Sequence, residues 1–255
     1  MSKLIQNPRE CLWGLFFGLF SISSLAGGEI PVTLQVNGKT QEIHAYSAID
    51  LARLKTRSGK EKRPTGEVVN FGGPVLQGLM DESLMKLPLE VRAQIDLVVL
   101  GGREREALVP RSFINKFPVV LSKTKGGFES VVVGWQTNPK IKAEELPTDT
   151  YFLDSVQKIT FTSYRERYLK YFLKRRTDPA AMRGEKVFTQ ACLGCHATGI
   201  GPDPSKWTTV EFNGMKKNAH PAKSPRFELN DWMVRALTVY WSAQEKERQS
   251  QQTKN

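Results

Sequence analysis

Val32, Leu34 and Val36 recur every second residue, the period of a strand with one buried face. Asn37-Gly38 follows at once, a pair that accepts the positive φ angles of a tight hairpin turn, so a hairpin is expected. Residues 47–54 open with Ser47 and suit a short capped helix. Gly72-Gly73-Pro74 is expected to break the chain before an apolar helical turn or two at 75–80. Residues 95–100, apolar but for Asp96 and closed by Gly101-Gly102, form a run of strand type. Further strands are expected at 107–109, 119–121, 129–133 and 156–161, with a short helix at 111–117. The sum is an α+β pattern with mixed or antiparallel pairing and no internal repeat.

The rhythm changes at Tyr164. Tyr164, Tyr168, Tyr171 and Phe172 recur at helical spacing among Arg165, Arg167, Lys170, Lys174, Arg175 and Arg176. An amphipathic connecting helix with a basic face is expected over 164–178, its aromatic stripe read as a packing face. Asp178-Pro179 then reads as the start of another helix, with Asp178 as N-cap and Pro179 in the first turn.

Composition sets the setting of these elements. The 255 residues allow about two domains, and 40% hydrophobic residues suffice for packed cores. Lys3 and Arg9, an apolar run at 11–20 and the small residues Ser24-Leu25-Ala26 form a signal-peptide pattern, cleaved after Ala26. The apolar run is short for a membrane span; an uncleaved anchor is the alternative, and would leave the chain membrane-associated. Export is therefore expected. Removing Lys3, Arg9 and Glu10 with the signal takes the net charge from +11 to +10. A basic surface favours acidic partners, anionic membrane or nucleic acid. Export argues against nucleic acid and leaves an acidic redox partner or the membrane face.

Candidate chemistry concentrates in Cys192-Leu193-Gly194-Cys195-His196. Cys-x-x-Cys-His is the attachment pattern of c-type haem: two thiols three positions apart each add to a vinyl group, and the adjoining imidazole reaches the iron from the same side. A redox dithiol would prefer a thioredoxin-like βαβ setting, which the flanking pattern does not offer. A zinc site needs about four ligands, and the third cysteine, Cys11, lies in the signal. One haem c is expected, held by Cys192 and Cys195, with His196 as proximal iron ligand.

With these residues in place, 179–244 resembles class I cytochrome c. Gly184, Val187 and Phe188 share a face of the helix before the motif, as in that family's first helix. Asn230 is placed to cap a last helix in which Met233, Ala236, Leu237, Tyr240 and Trp241 share a face. The resemblance implies that the two helices cross, with Gly184 allowing close approach, and that a proline carbonyl (Pro202 or Pro204) receives the second ring N–H of His196. It also places the distal ligand in the loop before the last helix. His220, followed by Pro221, stands where the family often has Met-Pro; Met215 is the alternative, and Met233 reads as core. His44 reads as a surface residue.

Residues 30–163 distantly resemble the sulfite-oxidase-type molybdopterin-binding fold, through the opening hairpin, the segment 70–80, the run 95–102 and Ala107-Leu108-Val109-Pro110. The chemistry of that family is not implied with the fold. Its catalytic members hold molybdenum through a cysteine thiolate, and no cysteine lies between Cys11 and Cys192. The expectation is thus a signal at 1–26, a sulfite-oxidase-like α+β domain at 27–163 used for docking, the connecting helix, an all-α cytochrome c domain at 179–245 and a polar tail at 246–255. Three classes of function stay open: an electron carrier, favoured here; a peroxidase-like or molybdopterin-linked oxidoreductase; and a haem-based redox or gas sensor.

Overall fold

The computed structural model describes residues 29–144, 146–174, 177–196, 204 and 231–252. Among the described residues, ten strands and nine α-helices run in chain order. They are β1 (Ile30–Val36), β2 (Lys39–Tyr46), α1 (Ala48–Arg53), β3 (Thr56–Lys62), β4 (Val68–Pro74), α2 (Leu76–Met85), α3 (Leu89–Gln94), β5 (Leu97–Gly101), β6 (Glu106–Pro110), α4 (Arg111–Ile114), β7 (Val119–Thr124), β8 (Gly127–Val132) and α5 (Pro139–Ala143). After a 3-10 turn at Thr148–Tyr151 come β9 (Leu153–Val156), β10 (Lys158–Thr162), α6 (Tyr164–Tyr168), a 3-10 turn at Leu169–Tyr171, α7 (Pro179–Ala191), α8 (Leu193–His196) and α9 (Asp231–Gln252). The result is mixed α/β structure with a mixed sheet and a long C-terminal helix.

The opening hairpin forms as its pattern requires. Asn37 and Gly38 both take positive φ, 55° and 71°, and β1 pairs antiparallel with β2. Ser47 caps α1 through a reciprocal capping box with Asp50. The main sheet has the order β2-β1-β10-β5-β6. Within it β1 and β10 run parallel, whereas β10, β5 and β6 pair antiparallel.

Leu97–Leu100 within the run at 95–100 are buried on both faces of this sheet. Val98, Leu100, Ala107, Val109, Ile159 and Phe161 face a core shared with β1 and α2. Leu97, Val99 and Leu108 face the opposite way and join Tyr168, Val187, Phe188, Leu193, Leu237 and Trp241. Each such buried aliphatic side chain contributes about 1.5–3 kcal/mol. The C-terminal helices therefore pack directly on the sheet built by the first half of the chain.

Several expectations are corrected. Gly72-Gly73-Pro74 does not break the chain but completes β4, paired with β3 through Thr56 and Pro74. A Cβ on Gly73 would stand 2.0 Å from the Leu121 carbonyl oxygen, so the glycine serves close packing of β4 on β7. The apolar stretch 156–161 is two strands in different sheets: β9 joins β7 and β8, and β10 enters the main sheet.

The connecting helix over 164–178 is a helix only to Tyr168, followed by the 3-10 turn. Ser163 caps it through the Glu166 N–H. Beyond it the backbone is diverted into tertiary contacts: the Leu173 N–H donates to Glu185, and the Tyr171 carbonyl accepts from the Tyr240 hydroxyl and the Gln244 amide. α9 continues to Gln252, so residues 246–252 of the expected polar tail are helical. Glu247 on its last part accepts the Lys174 N–H at 3.0 Å.

Candidate functional site

The haem-attachment pattern stands at the end of α7. Asp178 caps that helix, its Oδ1 accepting the N–H groups of Ala180 and Ala181, and Pro179 lies in the first turn. This is the start read from the sequence. The helix buries Ala181, Gly184, Val187 and Phe188 along one face. A Cβ on Gly184 would meet the Ala236 carbonyl oxygen at 2.0 Å, so α7 and α9 touch backbone to backbone at this point.

An aromatic cluster holds this crossing. Phe188 stacks on Tyr240, with ring centroids 5.4 Å apart, and meets Trp241 and Tyr171 edge-on at 4.9 and 5.6 Å. The Tyr240 hydroxyl donates to the Tyr171 carbonyl at 2.6 Å. Burial pushes the Tyr240 phenol well above its ordinary range, so it stays a neutral donor. Met233 is buried in the same cluster, as expected of a core residue.

Helical hydrogen bonding continues through the motif. The Cys192 N–H donates to the Phe188 carbonyl, and the His196 N–H to the Cys192 carbonyl, both at 3.0 Å. Positions 192, 195 and 196 therefore stand at i, i+3 and i+4 of one helical turn, a spacing that shares a face. The intervening positions do the opposite work. Leu193 is fully buried, and a Cβ on Gly194 would stand 2.3 Å from the carbonyl oxygen of Glu106 on β6. Cys192 and His196 are half-buried. The turn thus seats its Leu193-Gly194 side on the edge strand β6 and covers the hydrogen-bonding edge that β6 would otherwise leave open.

Sequence reading did not find the residues that receive the turn. Glu106 presents its backbone to Gly194, and its carboxylate accepts from the Arg167 guanidinium at 2.5 Å. Arg167 also lies over the Tyr168 ring, 5.6 Å from its centroid. Nothing local in the sequence pairs Glu106 with Arg167, which are 61 residues apart. Arg165, Lys170, Arg183 and Lys186 are exposed on α6, the following turn and α7.

Other sequence candidates fall elsewhere. His220, Met215, Asn230, Pro202 and the signal segment 1–26 lie outside the described residues, as does the side chain of Cys195. His44 is half-buried on β2, edge-on to Tyr46 at 4.4 Å. Among the described residues no group of three or more His, Cys, Asp and Glu side chains is arranged to hold a metal ion. No described helix is long and apolar enough to cross a membrane. No protein-family model and no curated protein matches the chain.

Proposed function

We propose that this chain is an exported, periplasmic c-type cytochrome that passes single electrons between redox partners through one haem c. The observation that carries the reading is the placement of Cys192, Cys195 and His196 at i, i+3 and i+4 of one helical turn. Its remaining positions, Leu193 and Gly194, are committed to packing on the sheet. Cys192 and Cys195 would hold the haem through thioether bonds to its vinyl groups, and His196 would ligate its iron. When bound, the haem supplies a one-electron iron centre whose potential follows its ligands and surroundings.

The chain's own residues do the rest. α7 and the Phe188–Trp241 contact fix the direction of the turn, and β6 fixes its depth. Residues 179–245 are read as a cytochrome c fold attached to a sulfite-oxidase-like α+β region without molybdenum. His220 is proposed as distal ligand, with Met215 as the alternative. A filled sixth position would confine the iron to electron transfer. Exposed Arg165, Lys170, Arg183 and Lys186 on α6, the following turn and α7 suit an acidic redox partner.

The test is the matured, purified protein on a denaturing gel with a haem stain, together with its oxidised and reduced optical spectra. Covalent haem is expected, and its loss on replacing Cys192 and Cys195 with Ala. A low-spin spectrum unmoved by carbon monoxide is expected of a carrier. No haem stain, or stain retained in the double variant, overturns the assignment. Rapid carbon monoxide binding overturns the carrier role in favour of gas or peroxide chemistry. His220→Ala should change the iron's spin state; an unchanged spectrum moves the distal ligand to Met215.

A further inference from the structure

The Glu106–Arg167 ion pair lies beneath the Cys192–His196 turn. Glu106 belongs to β6, the edge strand on which the turn is seated. Its side chain is only 8% exposed and that of Arg167 21%, so both charges are withdrawn from water. The Glu106 carbonyl oxygen is the atom that Gly194 lies against. The pair therefore stands at the strand on which the turn bearing the thiol and imidazole positions is seated. Charges so withdrawn act through a medium less polarisable than water and are poorly screened by salt.

Resting on the haem-attachment reading of Cys192–His196, we propose that the Glu106–Arg167 pair sets the reduction potential of that site. Reduction adds one negative charge to the iron centre. The Glu106 carboxylate opposes that gain and the Arg167 guanidinium favours it. Together they hold the site near neutrality, and each alone would bias it in its own direction. Arg167 acts from the segment that links the two halves of the chain, so the potential is tied to how that segment is docked.

The experiment is a potentiometric titration of the matured full-length protein, followed by the haem absorption, for the parent, Glu106→Gln, Arg167→Gln and the double variant. Glu106→Gln leaves the guanidinium unopposed and should raise the potential. Arg167→Gln leaves the carboxylate unopposed and should lower it. The double variant should return towards the parent. Shifts of the same sign in both single variants, or none, would show a packing role only and overturn the proposal. Arg167→Lys keeps the charge and should hold the parental potential; it serves with the double variant if a single variant fails to fold, as read by circular dichroism. Absence of covalent haem in the parent would overturn the reading on which the proposal rests, an outcome distinct from haem-loaded variants whose potentials do not move.

Discussion

Gly184 on α7 touches the backbone of Ala236 on α9: a Cβ at position 184 would stand 2.0 Å from the Ala236 carbonyl oxygen and 2.6 Å from the Tyr240 Cβ. Neither neighbour is the free end of a flexible side chain. Two effects of Gly184→Ala oppose each other. Ala is the better helix former by about 1 kcal/mol. Overpacking against fixed atoms typically costs about 1–3 kcal/mol, and parting two helices that share an aromatic cluster puts this site at the upper end. The clash wins, and the variant should unfold at lower urea concentration. A Cβ added at Gly78 in α2 would meet nothing within 4 Å, so Gly78→Ala should instead stabilise by up to about 1 kcal/mol. Equal effects at the two glycines would contradict the close crossing of α7 and α9.

Gly194→Ala tests the seat of the turn. The added methyl would meet the Glu106 carbonyl at 2.3 Å, and the edge strand cannot retreat without breaking its pairing with β5. A loss of about 1–3 kcal/mol is expected from equilibrium unfolding. Protease should also cut more readily around the motif than in the parent. A variant as stable and as resistant as the parent would mean that the turn does not rest on β6.

Asp149 gives the fold a pH dependence of known sign. Burial raises its carboxyl pKa from 3.8 to about 6, against the smaller opposing effects of backbone N–H groups and Arg105. The folded state therefore holds the proton more tightly than the unfolded chain. Relative to the charged form, this favours folding fully below about pH 4, and the advantage is lost as pH rises through about 6. At pH 7 the charged carboxylate weighs against folding by roughly 2 kcal/mol, with solvent access keeping the figure below the full linkage value. Asp149→Asn should stabilise the protein at pH 7 and show little difference from the parent at pH 3.5. A difference that grows as pH falls would contradict the assignment.

Short-range signals were readable wherever one turn of chain contains both the cause and the effect. Asn37-Gly38 supplies its own positive φ angles, Ser47 and Asp50 cap one another, and Asp178 reaches only two and three residues ahead to cap α7. The positions of Cys192, Cys195 and His196 on one helical face follow from helix geometry alone. β3 was missed because Thr56–Lys62 is polar and mostly exposed and gains its strand form from β4. The aromatic stripe from Tyr164 onward has helical spacing, yet Tyr171 and Leu173 give their backbone groups to α9 and α7 instead of to their own helix.

By itself, then, the sequence determined the hairpin, the caps, the existence of a strand within 95–101 and the spacing of the thiol and imidazole positions. These depend on neighbours within a few residues or on continuous apolarity. Only the tertiary structure decided that 156–161 divides between two sheets, that the C-terminal helices share the outer face of the first half's sheet, and that Glu106 meets both Gly194 and Arg167. The two contacts of Glu106 alone join residues 61 and 88 positions apart in the chain. Their partners are chosen by shape and burial in three dimensions, for which a linear pattern carries no signal.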